Sequence, residues 1–263
     1  MTSPQMMSQR PRISVIIPVR NDAAALGPTL EYLGNLSGRE AVEVIVAASG
    51  DSPGTERAVA GRALVVWPAG ASRARLMNAG ATMARGEILF FLHADSFPPR
   101  NAFRLIEHAL ADPGVVGGAF EHLFAEQRWS LWAITWINRL RYRLTRNYYG
   151  DQGIFVRAAI FQGLGGYQDL RLMEDLDFTR RLKRIGRTVV IRQPLRTSGR
   201  RFLTRGPWRT FFFIVWLLLL YTLGFDTQRY AERWRGPVDR PPGSPWRSRR
   251  RDATTPPWPD GGC

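Results

Sequence analysis

The chain reads as an α/β protein: a Rossmann-like, mainly parallel sheet with helices on both faces, followed by one further apolar helix. Three observations predict this. Ile13 to Val19 (ISVIIPV), Val42 to Ala47 (VEVIVA) and Glu87 to Leu92 (EILFFL) are short apolar runs without polar alternation. Runs of that kind are strands buried on both faces. Helical stretches separate them, the alternation expected of a parallel sheet. The 263 residues are 44% hydrophobic and 22% charged, enough apolar material for one large domain or two small ones.

Each element has a local reason. Asn21 or Asp22 supplies a cap for the helix after the first strand, with Pro28 tolerated near the first turn of its second part. The turn-rich SGDSPGT follows the second strand, and Ala63 to Trp67 reads as a third. Ala71 to Arg85 is a small-residue helix closed by Gly86. Trp129 to Leu144 is helical in pattern, with Trp129, Trp132 and Trp136 beside Arg139, Arg141 and Arg143, and Gly153 to Val156 is a short strand. Met173 to Gly186 forms a helix with Glu174, Asp175 and Asp177 in its first turn and Arg180, Arg181, Lys183 and Arg184 later, matching the macrodipole. Six arginines then run without an acid from Arg192 to Arg209, and Thr210 to Phe225 carries no charge. From Gly236 the chain is rich in Pro, Gly, Ser and Arg, the composition of a disordered tail. The expected organisation is a disordered 1–12, a main domain over 13–205 divided near 97, an apolar helical unit over 206–235 and the tail 236–263.

Lysine and arginine number 37 against 22 acids, a net charge of +15, and all but Lys183 are arginine. A planar, permanently charged fork suits phosphate, whether in nucleic acid, on an anionic membrane or on a small substrate. No helix-turn-helix, zinc-finger or RNA-recognition signature supports nucleic acid as the partner. The single cysteine, Cys263, excludes an internal disulfide, a cysteine zinc site and a thiol nucleophile. MTSPQMMSQRPR has no apolar core of a secretory signal, so the expected compartment is the cytoplasm.

Four landmarks stand in order: IIPVRND after the first strand, MNAG before the fourth, FLHADS ending the fourth, and LGGYQDLRLMEDLDFTRRLKRIG later. Together they resemble family 2 glycosyltransferases, which have the GT-A nucleotide-sugar fold, and within them a small bacterial branch with an HAD triplet and YGDQGIFVR. The likeness runs from about Ile13 to Phe225. It implies an inverting transfer of sugar from a nucleoside diphosphate, UDP by default, to a hydroxyl acceptor. His93-Ala94-Asp95 takes the place of the family's DxD, with Asp95 matching its last aspartate and so holding Mg²⁺ or Mn²⁺. His93 replaces the first aspartate, with ribose contact, metal or packing as its open roles. A carboxylate at a strand's carboxyl end suits such a metal, since ligands bind outside that edge of an open sheet. Glu174-Asp175 resembles the family's ED pair, in which the aspartate is the catalytic base. Helix geometry points neighbours about 100° apart, so only one of the two reaches the acceptor hydroxyl.

The resemblance also implies nucleotide contacts at Pro18 and Asn21, and at Arg73 and Asn78 on the helix leading into the fourth strand. Ala48 stands where many members carry a uracil-reading aspartate, with Asp51 as the nearest substitute. Asp151 and Gln152, with Glu174, fall on the acceptor side. Arg200 and Arg201 match basic residues on a mobile loop near the diphosphate, although this arginine stretch suits anionic lipid equally. Phe211 to Tyr221 is eleven apolar residues in a row. A helix over the 16 uncharged residues spans about 24 Å, short of a typical bilayer core. That length fits a helix immersed in one membrane leaflet or shared across a homodimer, and the alternative is a buried core helix.

Overall fold

The structure, a computed structural model, describes residues 11–235 apart from 21, 51–53 and 71. The expectations for the first ten residues and for the tail from Gly236 therefore lie outside the described residues. The first half comprises β1 (Ile13–Val19), α1 (Ala23–Gly34), β2 (Val42–Ala48), α2 (Thr55–Val59), β3 (Leu64–Val66), α3 (Arg73–Met83) and β4 (Ile88–Phe91). A two-residue β5 (Ser96–Phe97), α4 (Ala102–Ala109), the long β6 (Val115–Phe124) and α5 (Trp129–Thr145) follow. Then come β7 (Ile154–Arg157), α6 (Ala158–Gly163), α7 (Glu174–Ile185), β8 (Arg187–Thr197), α8 (Arg200–Arg205), α9 (Pro207–Thr222) and α10 (Ala231–Arg235).

One sheet runs through the molecule in the order β3-β2-β1-β4-β7-β6-β8-β5. Its first four strands are parallel, as the apolar runs predict. Beyond β4 the sheet is mixed: β7 runs antiparallel to both β4 and β6, and β8 returns parallel to β6. The carboxyl ends of β1, β4 and β6 thus share one edge. The central strands lack polar alternation because both faces are covered. Val15, Ile17 and Val19 of β1 pack with Leu26, Leu30 and Phe103 from α1 and α4. Ile16 turns the other way, to Met77 of α3 and Phe178 and Leu182 of α7.

Two strands had no sequence signal. β6 contains Gly117-Gly118 and the polar pair Glu121-His122, and β8 carries Arg187, Arg192, Pro194 and Arg196. Tertiary pairing of these long strands overrides weak local propensity. The arginine run is thus strand as far as Thr197. Gly86 is not the helix stop: α3 ends at Met83, and Gly86 lies against β1, where a Cβ would sit 2.7 Å from the Ser14 nitrogen. Only glycine permits that approach.

Candidate active site

The site gathers at the shared carboxyl edge. Strand β4 runs into His93-Ala94-Asp95, and the helix after it starts later, at Ala102 with Asn101 at its cap position. Asp95 is therefore not a helix cap. Its partner is Thr197 at the end of β8, whose hydroxyl lies 3.4 Å from Oδ1. Burial first, and the neighbouring Asp22 carboxylate second, push the Asp95 carboxyl up to about 6, while Arg200 and Arg201 oppose the shift. Among the described residues no three His, Cys, Asp or Glu side chains cluster into a closed metal site. One carboxylate still fits Mg²⁺ or Mn²⁺, because these ions take one or two protein carboxylates and complete their shell with phosphate oxygens and water.

Asp22, one of the two residues read as a cap, does occupy the N-cap position of α1, but its side chain has another partner. It makes no side-chain cap bond, and its Oδ1 lies 3.3 Å from the Arg200 guanidinium. Arg200 opens α8, so the expected mobile arginine loop is a helix start, anchored by Glu126 through the Ser198 hydroxyl and the Gly199 amide. Arg201 faces both Asp95 and His93 closely enough to influence their ionisation.

His93 meets Arg73. The Arg73 guanidinium donates to its Nε2, so the ring nitrogen accepts and the imidazole is neutral. Burial and then the Arg73 and Arg201 charges depress its pKa well below the usual value. Arg73 also lies 3.6 Å from Glu174, which is only 6% exposed. Glu174 therefore holds Arg73 at the cleft floor rather than meeting an acceptor freely.

Asp175 begins α7 beside this group. Its Oδ2 accepts from the Gly150 amide at 2.7 Å and its Oδ1 from the Leu176 amide at 2.7 Å. Two backbone donors aim the carboxylate and leave a lone pair on each oxygen. A Cβ at Gly150 would displace the Arg73 guanidinium and stand 2.7 Å from His93 Nε2.

Asp151 is partly open to the cleft, 3.7 Å from His122 Nε2. His122, 3% exposed, is held neutral by burial, with Asp151 opposing and Arg141 and Arg139 adding to the depression.

Two expected contacts are corrected. Gln152 is 1% exposed, and its amide is spent between the Phe120 carbonyl and the Tyr149 amide, so its side chain braces the turn and is not presented to an acceptor. Asn78 clamps both the amide and the carbonyl of Tyr167, so it holds the LGGYQDL loop rather than a base or phosphate. Pro18 is partly exposed near the end of β1, in register with Ala47, and Ala48 is buried at the end of β2. Asn21 and Asp51 lie outside the described residues. The sequence reading missed Asp22, Gly150, His122 and Thr197. Asp22 and Gly150 carried a signal, since they stand in IIPVRND and YGDQGIFVR.

Known proteins place this arrangement. The structure resembles the mannosyltransferase PcManGT from Pyrobaculum calidifontis, solved with GDP-Man and Mn²⁺, at 23% identity and TM-score 0.59 over 77% of this chain and 61% of that one. It resembles S. aureus TarS 1–349, solved with UDP-GlcNAc, at 15% identity and TM-score 0.60 over 72% of this chain and 58% of that one. Glucosyl-3-phosphoglycerate synthase from Mycobacterium tuberculosis, solved with Mn²⁺, UDP and glucosyl-3-phosphoglycerate, gives 18% identity and TM-score 0.54 over 83% and 81%. The chain thus spans about three fifths of the length of the first two. No curated protein sequence matches it. The family model described as "Glycosyl transferase family 2" matches residues 14–164, more than half of the chain and all of the edge that carries Asp22, Arg73, Asp95 and Gly150. On that match the chain belongs to glycosyl transferase family 2.

Proposed function

We propose that this protein is an inverting, divalent-metal-dependent glycosyltransferase. It moves a sugar from a nucleoside diphosphate to the hydroxyl of a lipid-like or small acceptor at the cytoplasmic face of a membrane. The observation that carries the reading is a run of contacts linking the two motifs: Arg73 meets both His93 of the HAD triplet and Glu174, and the next residue, Asp175, is held by the Gly150 amide. When bound, the metal supplies neutralising charge to the diphosphate, and Asp95 is the residue that would hold it. Arg200 and Arg201 add fixed positive charge where the leaving group gains negative charge. Asp175, aimed by the Gly150 and Leu176 amides, takes the proton of the acceptor hydroxyl. That oxygen attacks the anomeric carbon opposite the leaving group, and the bond to the diphosphate oxygen breaks with its electron pair. The structures of similar fold that contain GDP-Man or UDP-GlcNAc support the donor class, and Mn²⁺ in two of the three supports the metal.

A thermal-shift screen of nucleoside diphosphates with and without Mn²⁺ tests donor and metal together. UDP or GDP should raise the melting temperature only when Mn²⁺ is present. With Ala48 at the end of β2, UDP should hold no sharp advantage over GDP. No shift with any nucleotide would remove the reading.

The membrane part rests on exposed apolar surface. Of α9 only Thr210 and Leu217 are buried, so it is not a core helix. Phe212, Trp216, Leu219 and Leu223 remain exposed, and α5 adds Trp129, Trp132, Trp136 and Leu140. The two helices meet through Trp129 and Trp208, ring centroids 6.0 Å apart. No described helix is long and apolar enough to cross a membrane. Indoles beside arginines, such as Arg139 over Trp136 at 5.1 Å, suit the headgroup level of an anionic bilayer. Burying Phe212, Trp216 and Leu219 contributes about 1.5–3 kcal/mol each. Replacing all three by serine should therefore cut partitioning onto anionic vesicles by at least about 10³-fold in a flotation assay. A wild-type protein that stays monomeric and does not float would show that this face has another purpose.

A further inference from the structure

The chain beyond α9 folds back over the catalytic elements. Asp226 receives the Gln228 amide at 2.8 Å, and the Gln228 side chain then grips the turn that enters α7. Its Oε1 accepts from the amides of Arg171 at 2.5 Å and Leu172 at 3.2 Å, and its Nε2 donates to the Leu172 carbonyl at 3.2 Å. One side chain thus satisfies three backbone groups of a non-helical turn. The next residue, Met173, has φ +67°, a left-handed conformation that a non-glycine residue holds only when its surroundings impose it. Glu174 and Asp175 come directly after. Leu172 is buried with Leu217 of α9 and Ala231 of α10, and Met173 packs against them.

The same segment reaches the donor side. Trp234 of α10 lies under the Arg201 guanidinium, 4.7 Å from ring centroid to charge centre, and its carbonyl accepts from Arg205 at 2.6 Å. Arg201 is one of the charges that act on both His93 and Asp95, beside Arg73 at the first and Arg200 at the second. Trp234 is itself stacked on Phe213 of α9. The contacts of this short segment therefore divide between the two reacting partners, Gln228 on the base and Trp234 on the diphosphate arm.

We infer that residues 227–234 form a clasp in which Gln228 and Trp234 are positioning residues, one setting the aim of Asp175 and the other the place of Arg201. This rests on the proposed glycosyl transfer. Neither residue touches the reacting atoms, and each acts through a named neighbour. The division predicts separable effects, because backbone aim governs the chemical step whereas the arginine governs donor retention.

The test uses the full chain and three single variants. Gln228→Ala should lower kcat by about 10- to 100-fold, the penalty of a base displaced by a fraction of an ångström to an ångström. Its affinity for Mn²⁺-UDP in calorimetry should stay within about twofold. Gln228→Glu keeps the oxygen that accepts from Arg171 and Leu172 and should recover most of the rate. Trp234→Ala should weaken Mn²⁺-UDP binding by about tenfold, the scale of a cation–π contact on a partly buried arginine, with kcat at saturating donor nearly unchanged. Hydrogen exchange supplies a readout independent of turnover: amides at 171–172 should exchange faster in Gln228→Ala and not in Trp234→Ala. A wild-type protein that binds no nucleoside diphosphate overturns the proposed function and the clasp with it. An active wild type whose two alanine variants lose kcat and nucleotide affinity alike, or lose neither, overturns the clasp alone.

Discussion

Asp175→Asn should lower turnover by about 10² to 10⁴, the range contributed by a positioned general base. The geometry refines what asparagine does here. Asp175 accepts from Gly150 on one oxygen and from Leu176 on the other, and asparagine has a single acceptor oxygen. One backbone donor therefore faces an NH₂ group, and some loss of melting temperature accompanies the loss of basicity. Asp175→Ala with added formate separates the two effects, since a small external base restores rate only where basicity is what is missing. Affinity for the nucleotide should stay nearly unchanged, because the groups that hold Asp175, the Gly150 and Leu176 amides, are not among the residues proposed to hold the metal or the diphosphate. Near-normal turnover of Asp175→Asn at saturating acceptor would pass the role to another acid. Asp177 is tied to Arg181 Nε at 2.7 Å, so Asp151, facing His122, is then the candidate.

Asp95→Asn should abolish transfer and remove Mn²⁺-dependent stabilisation by UDP or GDP, leaving the fold intact. The reason is that burial and the Asp22 carboxylate disfavour the ionised form of Asp95 in the metal-free protein. A group with a raised folded pKa takes up a proton that the unfolded chain releases. Its contribution therefore favours folding as pH falls from about 6 toward the ordinary value near 3.8, and counts against folding at pH 7. Replacing it by neutral asparagine removes that penalty. The metal-free variant should melt no lower than wild type at pH 7, even as it loses the response to Mn²⁺. Retention of metal-dependent nucleotide binding would move the ion elsewhere, and Asp22, paired with Arg200, is the nearest carboxylate by charge coupling.

The fold was legible where burial dictates residue type over a short window. β1, β2 and β4 need apolar side chains on both faces, and the amino-acid string shows this directly. The acidic start and basic end of α7 follow from the helix dipole and were equally plain. β6 and β8 were not legible, because glycines, a proline and arginines in them are tolerated only by long-range pairing. Asn78 and Gln152 show the same limit for the site. Side chains able to donate and accept look alike in sequence whether they bind substrate or brace a loop, and only their neighbours at Tyr167, Phe120 and Tyr149 distinguish the two.

By itself, the sequence determined the α/β class and the family resemblance, since those depend on local pattern and motif order. The tertiary structure alone decided that Asp22 belongs to Arg200, that Gly150 aims Asp175, that His93 holds Arg73 and that residues 227–234 clasp both sides of the cleft. Each of these joins residues far apart in the chain, from 20 between Arg73 and His93 to 178 between Asp22 and Arg200. No local pattern encodes such pairs, because the free energy that selects them is that of desolvated charges and backbone groups finding partners only after the sheet has formed.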